Sequence, residues 1–129
     1  MIAVDASALL AIVMAEPEGA QFKAALQDTD GAWLSPINYV ETGLLLIGRG
    51  AFGDPSEIDA WLAAMGVAVR KDFDLAGPAL RAYLRYGKGR HPARLNLGDC
   101  FAYALAKALD APLLYKGDDF ALTDIRSAL

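Results

Sequence analysis

Residues 96–115 read NLGDCFAYALAKALDAPLLY and predict an apolar helix followed directly by a short apolar strand. Asn96 is a favourable N-cap residue, and the helix that it starts extends over 97–109 with few polar positions. Residues 112–115 then form a strand. A helix that is apolar on nearly every side is buried, so this segment predicts a covered helix beside an interior strand.

The same alternation of strand and helix extends over the rest of the chain. Short apolar strands are predicted at 2–5, 32–34 and 67–69, with a possible fifth strand at 123–125. Helices are predicted at 6–15, 17–27, 36–47, 57–65 and 74–86, with Ser35 and Ser56 as caps. This alternation predicts an α/β fold with a mostly parallel sheet of four or five strands, covered by helices on both faces.

Length and composition fit a single domain spanning residues 1–129. The chain is 55% hydrophobic, which supplies a real core, and its single cysteine excludes an internal disulfide and suits a reducing compartment. The apolar run at 6–15 is too short for a membrane-spanning helix, which needs about 20 residues. We therefore expect a cytoplasmic protein without a membrane partner.

The charges are distributed unevenly along this chain, whose net charge is −4. Residues 75–98 include no Asp or Glu and contain all of Arg81, Arg85, Lys88, Arg90, His91 and Arg94. A cluster of acids beside a basic segment fits a metal-dependent enzyme with a polyanionic substrate. Metal cations would neutralise the carboxylates, and the basic side chains would bind the phosphates of the substrate. The alternative is a solvated helix face followed by a basic loop.

Two acidic residues lie where a functional and a structural role compete. Asp5 closes the first strand at the carboxyl edge of the sheet, where it also suits a helix N-cap. Asp99 follows Asn96 by three residues, which is the capping-box position, but it heads an otherwise apolar helix. Both side chains are candidates for the site, and both roles are compatible.

Three further acids complete the candidate cluster. Glu41 lies on an apolar helix with no Lys or Arg within one turn. Burying an unpaired carboxylate is costly, so Glu41 must meet a distant Arg, be protonated or bind a metal. Asp118 and Asp119 follow the strand at 112–115 and emerge at the same edge of the sheet as Asp5.

Together these acids predict a site for a hard cation. Two strand ends and the starts of two helices deliver carboxylates to one region, and Mg²⁺ or Mn²⁺ binds such sites through carboxylates, waters and phosphate. The chain has no Cys or His motif with zinc spacing. Without a cation, the clustered charges would repel one another and some would stay protonated.

These residues resemble the PIN-domain family, specifically the VapC-type toxins of bacterial toxin–antitoxin pairs. The resemblance covers essentially the whole chain and rests on VDASA at 4–8, Glu41, HPARLNLGDCFAYALA at 91–106 and LLYKGDDFALTDI at 113–125. It implies a three-layer α/β/α sandwich and a Mg²⁺-dependent endoribonuclease, with Mn²⁺ as a possible substitute. It also implies RNA as the substrate, a homodimer, and inhibition by a cognate VapB-type antitoxin.

The resemblance assigns the family's acids to Asp5, Glu41 and Asp99 directly. The fourth acid is Asp118 by preference, with Asp119 as the alternative, because the two stand adjacent before Phe120. Ser7 matches a small hydroxyl residue that helps to hold the site; its alternative is a helix-start hydroxyl. The candidates for contact with RNA or antitoxin are Arg90, His91 and Arg94.

Three other classes of protein compete with this interpretation. A phosphoacceptor receiver domain has a similar length and acid cluster, but here Asp5 is unpaired, and Lys116 and Asp72 are imperfect matches for its other sites. A binding module without catalysis does not explain the intact acids. A haloacid-dehalogenase-type phosphatase needs Asp-x-Asp where this chain has Asp5-Ala6-Ser7.

Overall fold

A computed structural model describes residues 1–129 and contains one sheet of four parallel strands. The strands are β1 (Ile2–Val4), β2 (Ala32–Leu34), β3 (Val67–Val69) and β4 (Leu113–Leu114). Their order is β3-β2-β1-β4, and Ala3 in the centre lies opposite Trp33 on one side and Leu113 on the other. All strands therefore end at one edge of the sheet.

Six α-helices and one short 3₁₀ helix surround this sheet. They are α1 (Ala6–Val13), α2 (Gly19–Asp28), α3 (Pro36–Gly48), α4 (Pro55–Ala64), α5 (Ala76–Tyr86) and α6 (Leu97–Leu109), with the 3₁₀ helix at Phe120–Leu122. None of them combines the length and hydropathy needed to cross a bilayer.

Two hydrophobic cores lie on opposite faces of the sheet. On one face α5 and α6 pack over the strands, around fully buried residues such as Leu95 and Leu105. On the other face α1, α2 and α4 pack around Leu9, Leu34 and Ile58. Helix α3 contacts both α1 and α6. The predicted three-layer α/β/α sandwich with a parallel sheet is thereby confirmed.

The predicted fifth strand at 123–125 is wrong, because these residues close a turn. The Thr123 hydroxyl donates to the Phe120 carbonyl at 2.7 Å and accepts from the Ile125 backbone N–H at 3.2 Å. The chain meets β4 only afterwards, where Leu113 N donates to Arg126 O and Ala128 N donates to Leu113 O, both at 2.9 Å.

Three predicted helix starts also shift by up to two residues. Helix α4 is capped by Asp54, whose Oδ1 accepts from the backbone N–H groups of Ser56 and Glu57, so Ser56 lies inside the helix. Helix α2 begins at Gly19 instead of residue 17, and α5 begins at Ala76 instead of residue 74. None of these shifts moves a candidate site residue.

Candidate active site

Asp5 lies at the carboxyl end of β1 and caps α1. Its extended backbone lets Oδ2 accept from the Ser7 backbone N–H at 3.1 Å and from the Ser7 hydroxyl at 2.5 Å. The residue is only 4% exposed, and its Oδ1 is buried without a hydrogen-bond partner. Burial raises the pKa of Asp5, although the bonds from Ser7 oppose this. The capping role leaves one carboxylate oxygen free for another ligand.

Ser7 links Asp5 to the loop that follows β4. Its hydroxyl donates to Asp5 Oδ2 and accepts from the backbone N–H of Lys116 at 3.0 Å. Ser7 and Lys116 are 109 positions apart in the sequence. The hydroxyl therefore fixes the start of the loop that carries Asp118 and Asp119, which fits the supporting role predicted for Ser7.

Glu41 is held by a residue that the sequence analysis did not single out. Asn38 is fully buried one turn earlier on α3, and its Nδ2 donates to Glu41 Oε1 at 3.3 Å and to the Gly98 carbonyl at 2.9 Å. Its own Oδ1 accepts from the Ser35 hydroxyl at 2.6 Å. Asn38 thus joins α3 to the start of α6 beside Glu41. The sequence did contain a signal for this role, because Asn38 is a polar residue three positions before Glu41 on an otherwise apolar helix.

Gly98 lets the Glu41 carboxylate approach the backbone of α6. A Cβ added at this glycine would lie 2.6 Å from Glu41 Oε1, which is closer than real Cβ contacts allow. Burial, and then the negative charge of Asp5, raise the pKa of Glu41. No Arg or Lys pairs with Glu41. Glu41 therefore does not form the salt bridge to a distant Arg that the sequence left open as an alternative.

Asp99 forms the predicted capping box and still faces the other acids. Its backbone N–H donates to Asn96 Oδ1 at 2.9 Å, and its Oδ2 accepts from the Asn96 backbone N–H at 3.0 Å. Burial first, and then the charges of Asp5, Glu41 and Asp119, raise its pKa to about 7. Acids from four separate segments therefore share one electrostatic environment.

The two aspartates after β4 differ in their surroundings. Asp119 is near enough to Asp99 for its charge to raise the Asp99 pKa. Asp118 lines a surface groove together with Glu18 and Phe22, on the side of α2. The effect of its charge on Asp99 thus favours Asp119 as the fourth acid of the cluster, in contrast to the preference for Asp118 that the sequence suggested. Both side chains are exposed.

The donor set fits a magnesium ion by its chemistry. It consists of carboxylates alone, and one of the buried oxygens, Asp5 Oδ1, lacks a partner. As the chain stands, no three His, Cys, Asp or Glu side chains are grouped closely enough to hold a metal ion by themselves. Magnesium keeps several waters and is commonly bound through one or two carboxylates plus substrate phosphate, so an open cluster of this kind suits it.

The basic loop between α5 and α6 does not join the acidic cluster. His91 Nδ1 accepts from the Ala93 backbone N–H at 3.0 Å, and its ring packs edge-on against Tyr86 at 4.9 Å. Arg90 Nε donates to the Leu84 carbonyl at 3.2 Å, and Arg94 adopts a positive φ of 56°. This loop leads directly to the cap of α6. Contact of Arg90, His91 and Arg94 with RNA or a protein partner stays a prediction.

The structure does not bring together the residues that a receiver domain would need in one site. Lys116 forms ion pairs with Glu16 and, at 3.2 Å, with Glu18. Asp72 forms an exposed pair with Arg70 at 2.6 Å. Lys116 and Asp72, the imperfect matches for that class, therefore form ion pairs away from the acidic cluster. Glu41, which a receiver domain would leave unexplained, belongs to that cluster.

Comparison with known proteins finds similarity along nearly the whole chain. The PIN domain family model matches residues 2–125. The chain is 47% identical over 125 residues to "Ribonuclease VapC" of Mycolicibacterium smegmatis, covering 95% of each protein. It is 46% identical to "Ribonuclease VapC30" of Mycobacterium tuberculosis, covering 95% of this chain and 94% of that protein.

A solved structure supports the fold independently of close sequence similarity. The crystal structure of Mycobacterium tuberculosis VapC20, described as a Sarcin-Ricin loop cleaving toxin, superposes with a TM-score of 0.74. The match covers 97% of this chain and 96% of that one at 18% sequence identity. At such low identity the likeness establishes the shared architecture.

Proposed function

The chain belongs to the PIN-domain family, and from this premise we propose that it is a VapC-type endoribonuclease toxin that hydrolyses RNA phosphodiester bonds with Mg²⁺. The observation that carries the proposal is the convergence of Asp5, Glu41, Asp99 and Asp119, whose charges act on one another at the carboxyl edge of the sheet. Similarity to ribonucleases over 95% of the chain supports the choice of RNA as the substrate.

Magnesium would be held by the free oxygen of Asp5, by Asp99 and by Asp119, with Asp118 as the alternative and Glu41 as a direct or water-mediated ligand. Manganese suits the same oxygen donors. A bound ion of this kind lowers the pKa of a coordinated water and stabilises negative charge on the phosphate and leaving oxygen. The expected cofactor is therefore Mg²⁺, with Mn²⁺ able to replace it.

The chain's own residues hold the acids in fixed positions. Ser7 orients Asp5, the capping box orients Asp99, and Asn38 orients Glu41. Glu41 Oε2 makes no hydrogen bond within the chain, so it is free to accept one from a water beside the phosphate. Because these hydrogen bonds orient the acids before the reaction starts, little reorganisation is needed when the charge of the reaction develops.

Neither Ser7 nor His91 is placed to take part in a covalent mechanism. The Ser7 hydroxyl is occupied by Asp5 and by the Lys116 backbone, and no histidine lies beside it. His91 uses one ring nitrogen on the backbone of its own loop. Hydrolysis by an activated water therefore fits the arrangement better than a covalent intermediate.

Two protein partners belong to this proposal: a cognate VapB-type antitoxin and a second copy of the chain. Helices α3 and α5 and the start of α6 leave several large apolar side chains exposed, and Leu44, Leu80 and Leu97 are 72%, 63% and 69% exposed. Two adjoining grooves share Leu97 between them. A continuous apolar surface of this kind is typical of a surface that meets another protein.

Cleavage of a structured RNA by the purified, antitoxin-free chain tests the function. We expect cleavage with Mg²⁺, none with excess EDTA, and a loss of at least about a hundredfold in Asp5→Asn and in Asp99→Asn. Asp28→Asn is the matched control, since Asp28 is an exposed acid at the end of α2. Retained cleavage in EDTA, or in both folded site variants, would falsify the assignment.

Thermal melting provides a readout of the metal that does not depend on activity. Mg²⁺ that binds only the native state should raise the melting temperature of the wild type and of Asp28→Asn. The increase should be much smaller for Asp99→Asn. Equal increases in all three proteins would remove Asp99 from the set of ligands.

A further inference from the structure

A small groove lies between α5 and α6, outside the carboxylate cluster. Its volume is about 200 Å³, and its floor includes Ala82 and Ala104. The small alanine side chains leave space between the helices, and the long side chains of Arg81, Arg85 and Lys107 line that space. The groove is therefore a concave surface with three cationic groups.

Asp124 organises one side of this groove. Its carboxylate accepts from the Tyr103 hydroxyl at 2.5 Å and from Lys107 Nζ at 2.9 Å, and it lies 3.6 Å from an Arg85 guanidinium nitrogen. The bonds from Tyr103 and Lys107 lower the pKa of Asp124, so it stays ionised and keeps these groups together. Arg85 also lies over the Tyr86 ring at 4.8 Å.

The cations of the groove are only partly neutralised. Asp124 is the one carboxylate paired with Arg85 and Lys107, and Arg81 forms no ion pair. Arg85 and Lys107 keep exposed side-chain fractions of 63% and 46%. The groove therefore carries excess positive charge on a chain whose net charge is −4. Guanidinium groups with free N–H donors fit the oxygens of a phosphate in a forked arrangement.

The groove continues from the carboxylate cluster along a single helix. Asp99, Tyr103 and Lys107 are separated by four residues each, so they lie on successive turns of α6. The rise from Asp99 to Lys107 is about 12 Å for eight residues of α helix. A second connection is the segment from Asp119 to Asp124, which starts beside the cluster and ends in the groove.

We propose that the groove of Arg81, Arg85 and Lys107 binds backbone phosphates of the RNA substrate that flank the phosphate being cleaved. This inference rests on the proposed ribonuclease function. A strand whose scissile phosphate lies at Asp99 must pass its neighbouring phosphates over the surface close by, and α6 leads to these cations. The groove thereby sets the path of the strand without contacting the reacting atoms.

RNA binding is measured by the anisotropy of a fluorescently labelled RNA hairpin. The full chain carries Asp99→Asn, which is expected to slow cleavage at least about a hundredfold. In this background Arg81→Gln/Arg85→Gln should weaken binding about tenfold. It should also reduce the slope of log affinity against log salt by about 0.7 for each phosphate that the groove no longer neutralises. The matched control is Arg49→Gln/Lys23→Gln, which removes two exposed cations outside the groove. It should change the Kd less than about threefold.

Lys107→Gln gives an independent test from the opposite wall of the groove. It should weaken RNA binding in the same direction, and because exposed ion pairs contribute little to stability the variant should fold normally. Melting temperatures of all variants establish that they are folded. A Kd and salt slope equal to those of the control, in both the double variant and Lys107→Gln, would overturn the proposal.

The outcomes also separate this proposal from the ribonuclease assignment. Wild-type cleavage with Mg²⁺ tests the enzyme, whereas the binding measurement needs no turnover and tests the groove alone. If the groove variants keep their RNA affinity but lose affinity for the purified VapB-type antitoxin, the groove contacts the protein partner and the RNA proposal is wrong. Loss of RNA affinity with antitoxin affinity unchanged supports it.

Discussion

Asp99 is both the capping-box acid of α6 and a member of the carboxylate cluster. The two roles use different properties of the side chain. Oδ2 accepts the backbone N–H of Asn96, while the negative charge interacts with Asp5, Glu41 and Asp119. Asn in place of Asp99 keeps an oxygen acceptor for the cap and removes the charge. This variant therefore separates the structural role from the electrostatic one.

The pKa of Asp99 predicts how stability depends on pH in the absence of metal. The folded chain raises this pKa from 3.8 to about 7, through burial first and neighbouring charges second. Between these values the folded state binds a proton that the unfolded state has released. The stabilisation is thus complete below about pH 3.8 and is lost as the pH rises through about 7.

Urea denaturation in EDTA over this pH range measures the effect. The free energy of unfolding should fall more steeply with rising pH for the wild type than for Asp99→Asn. Some slope should remain in the variant, because Asp5 and Glu41 also have raised pKa values. Parallel curves for the two proteins would contradict the raised pKa of Asp99.

Asn38 makes a second prediction at the scale of one residue. Asn38→Ala removes the amide between Glu41 and the Gly98 carbonyl and leaves buried partners without bonds, at a cost of about 1–3 kcal/mol. RNA cleavage should fall at least about tenfold in the folded variant, because Glu41 loses its support. Urea denaturation and cleavage under folded conditions measure the two effects separately.

Thr42→Val is the matched control for Asn38→Ala. Thr42 is equally buried on α3, but its hydroxyl donates only to the Asn38 backbone carbonyl. We expect this variant to keep the wild-type cleavage rate once it is folded. An equal loss of cleavage in Asn38→Ala and Thr42→Val would mean that Asn38 supports the fold alone.

At the scale of elements, α3 and α6 meet closely at Gly98. Alanine stabilises a helix interior by about 1 kcal/mol relative to glycine. At Gly98, however, the added Cβ would lie 2.6 Å from Glu41 Oε1, so the Glu41 carboxylate would have to leave its observed position. Gly98→Ala should therefore displace the Glu41 carboxylate and lower cleavage, with little effect on stability, because only the end of a flexible side chain has to move.

Gly48→Ala is the control for this prediction, since nothing lies within 4 Å of a Cβ added there and Gly48 is also helical. It should raise the free energy of unfolding by up to about 1 kcal/mol and leave cleavage unchanged. Urea denaturation and cleavage assays compare the two variants. Normal cleavage by Gly98→Ala would show that Glu41 does not need its observed position.

At the scale of the whole molecule, the exposed apolar surface of α3 and α5 predicts self-association. Leu44 and Leu80 are 72% and 63% exposed on these two helices, and burying such side chains contributes about 1.5–3 kcal/mol each. The purified chain should therefore have the mass of a dimer by light scattering. Leu44→Glu and Leu80→Glu should shift it toward the monomer.

Leu122→Glu is the matched control for this experiment, because Leu122 is 54% exposed but lies at the end of the 3₁₀ helix. It should leave the mass unchanged. A monomeric wild type at high protein concentration would remove the homodimer from the proposal. An equal shift in all three variants would show that the apolar surface of α3 and α5 is not the interface.

The sequence by itself determined the order of the elements, the parallel sheet and the positions of Asp5, Glu41 and Asp99 at strand ends and on helices. These features follow from short-range patterns, as the cap formed by Asn96 and Asp99 within four residues illustrates. The predicted fifth strand is wrong because the hydroxyl of Thr123 closes a turn. The periodicity of apolar residues does not predict this side-chain hydrogen bond.

Only the tertiary structure decided which side chains meet. The bond from Asn38 to the Gly98 carbonyl joins residues 60 positions apart, and the cations of the α5–α6 groove come from two helices. Asp118 and Asp119 are chemically identical neighbours, so residue type cannot choose between them. In the folded chain the charge of Asp119 acts on Asp99 whereas Asp118 lines the groove beside α2, because the direction of a side chain in a loop depends on dihedral angles and packing.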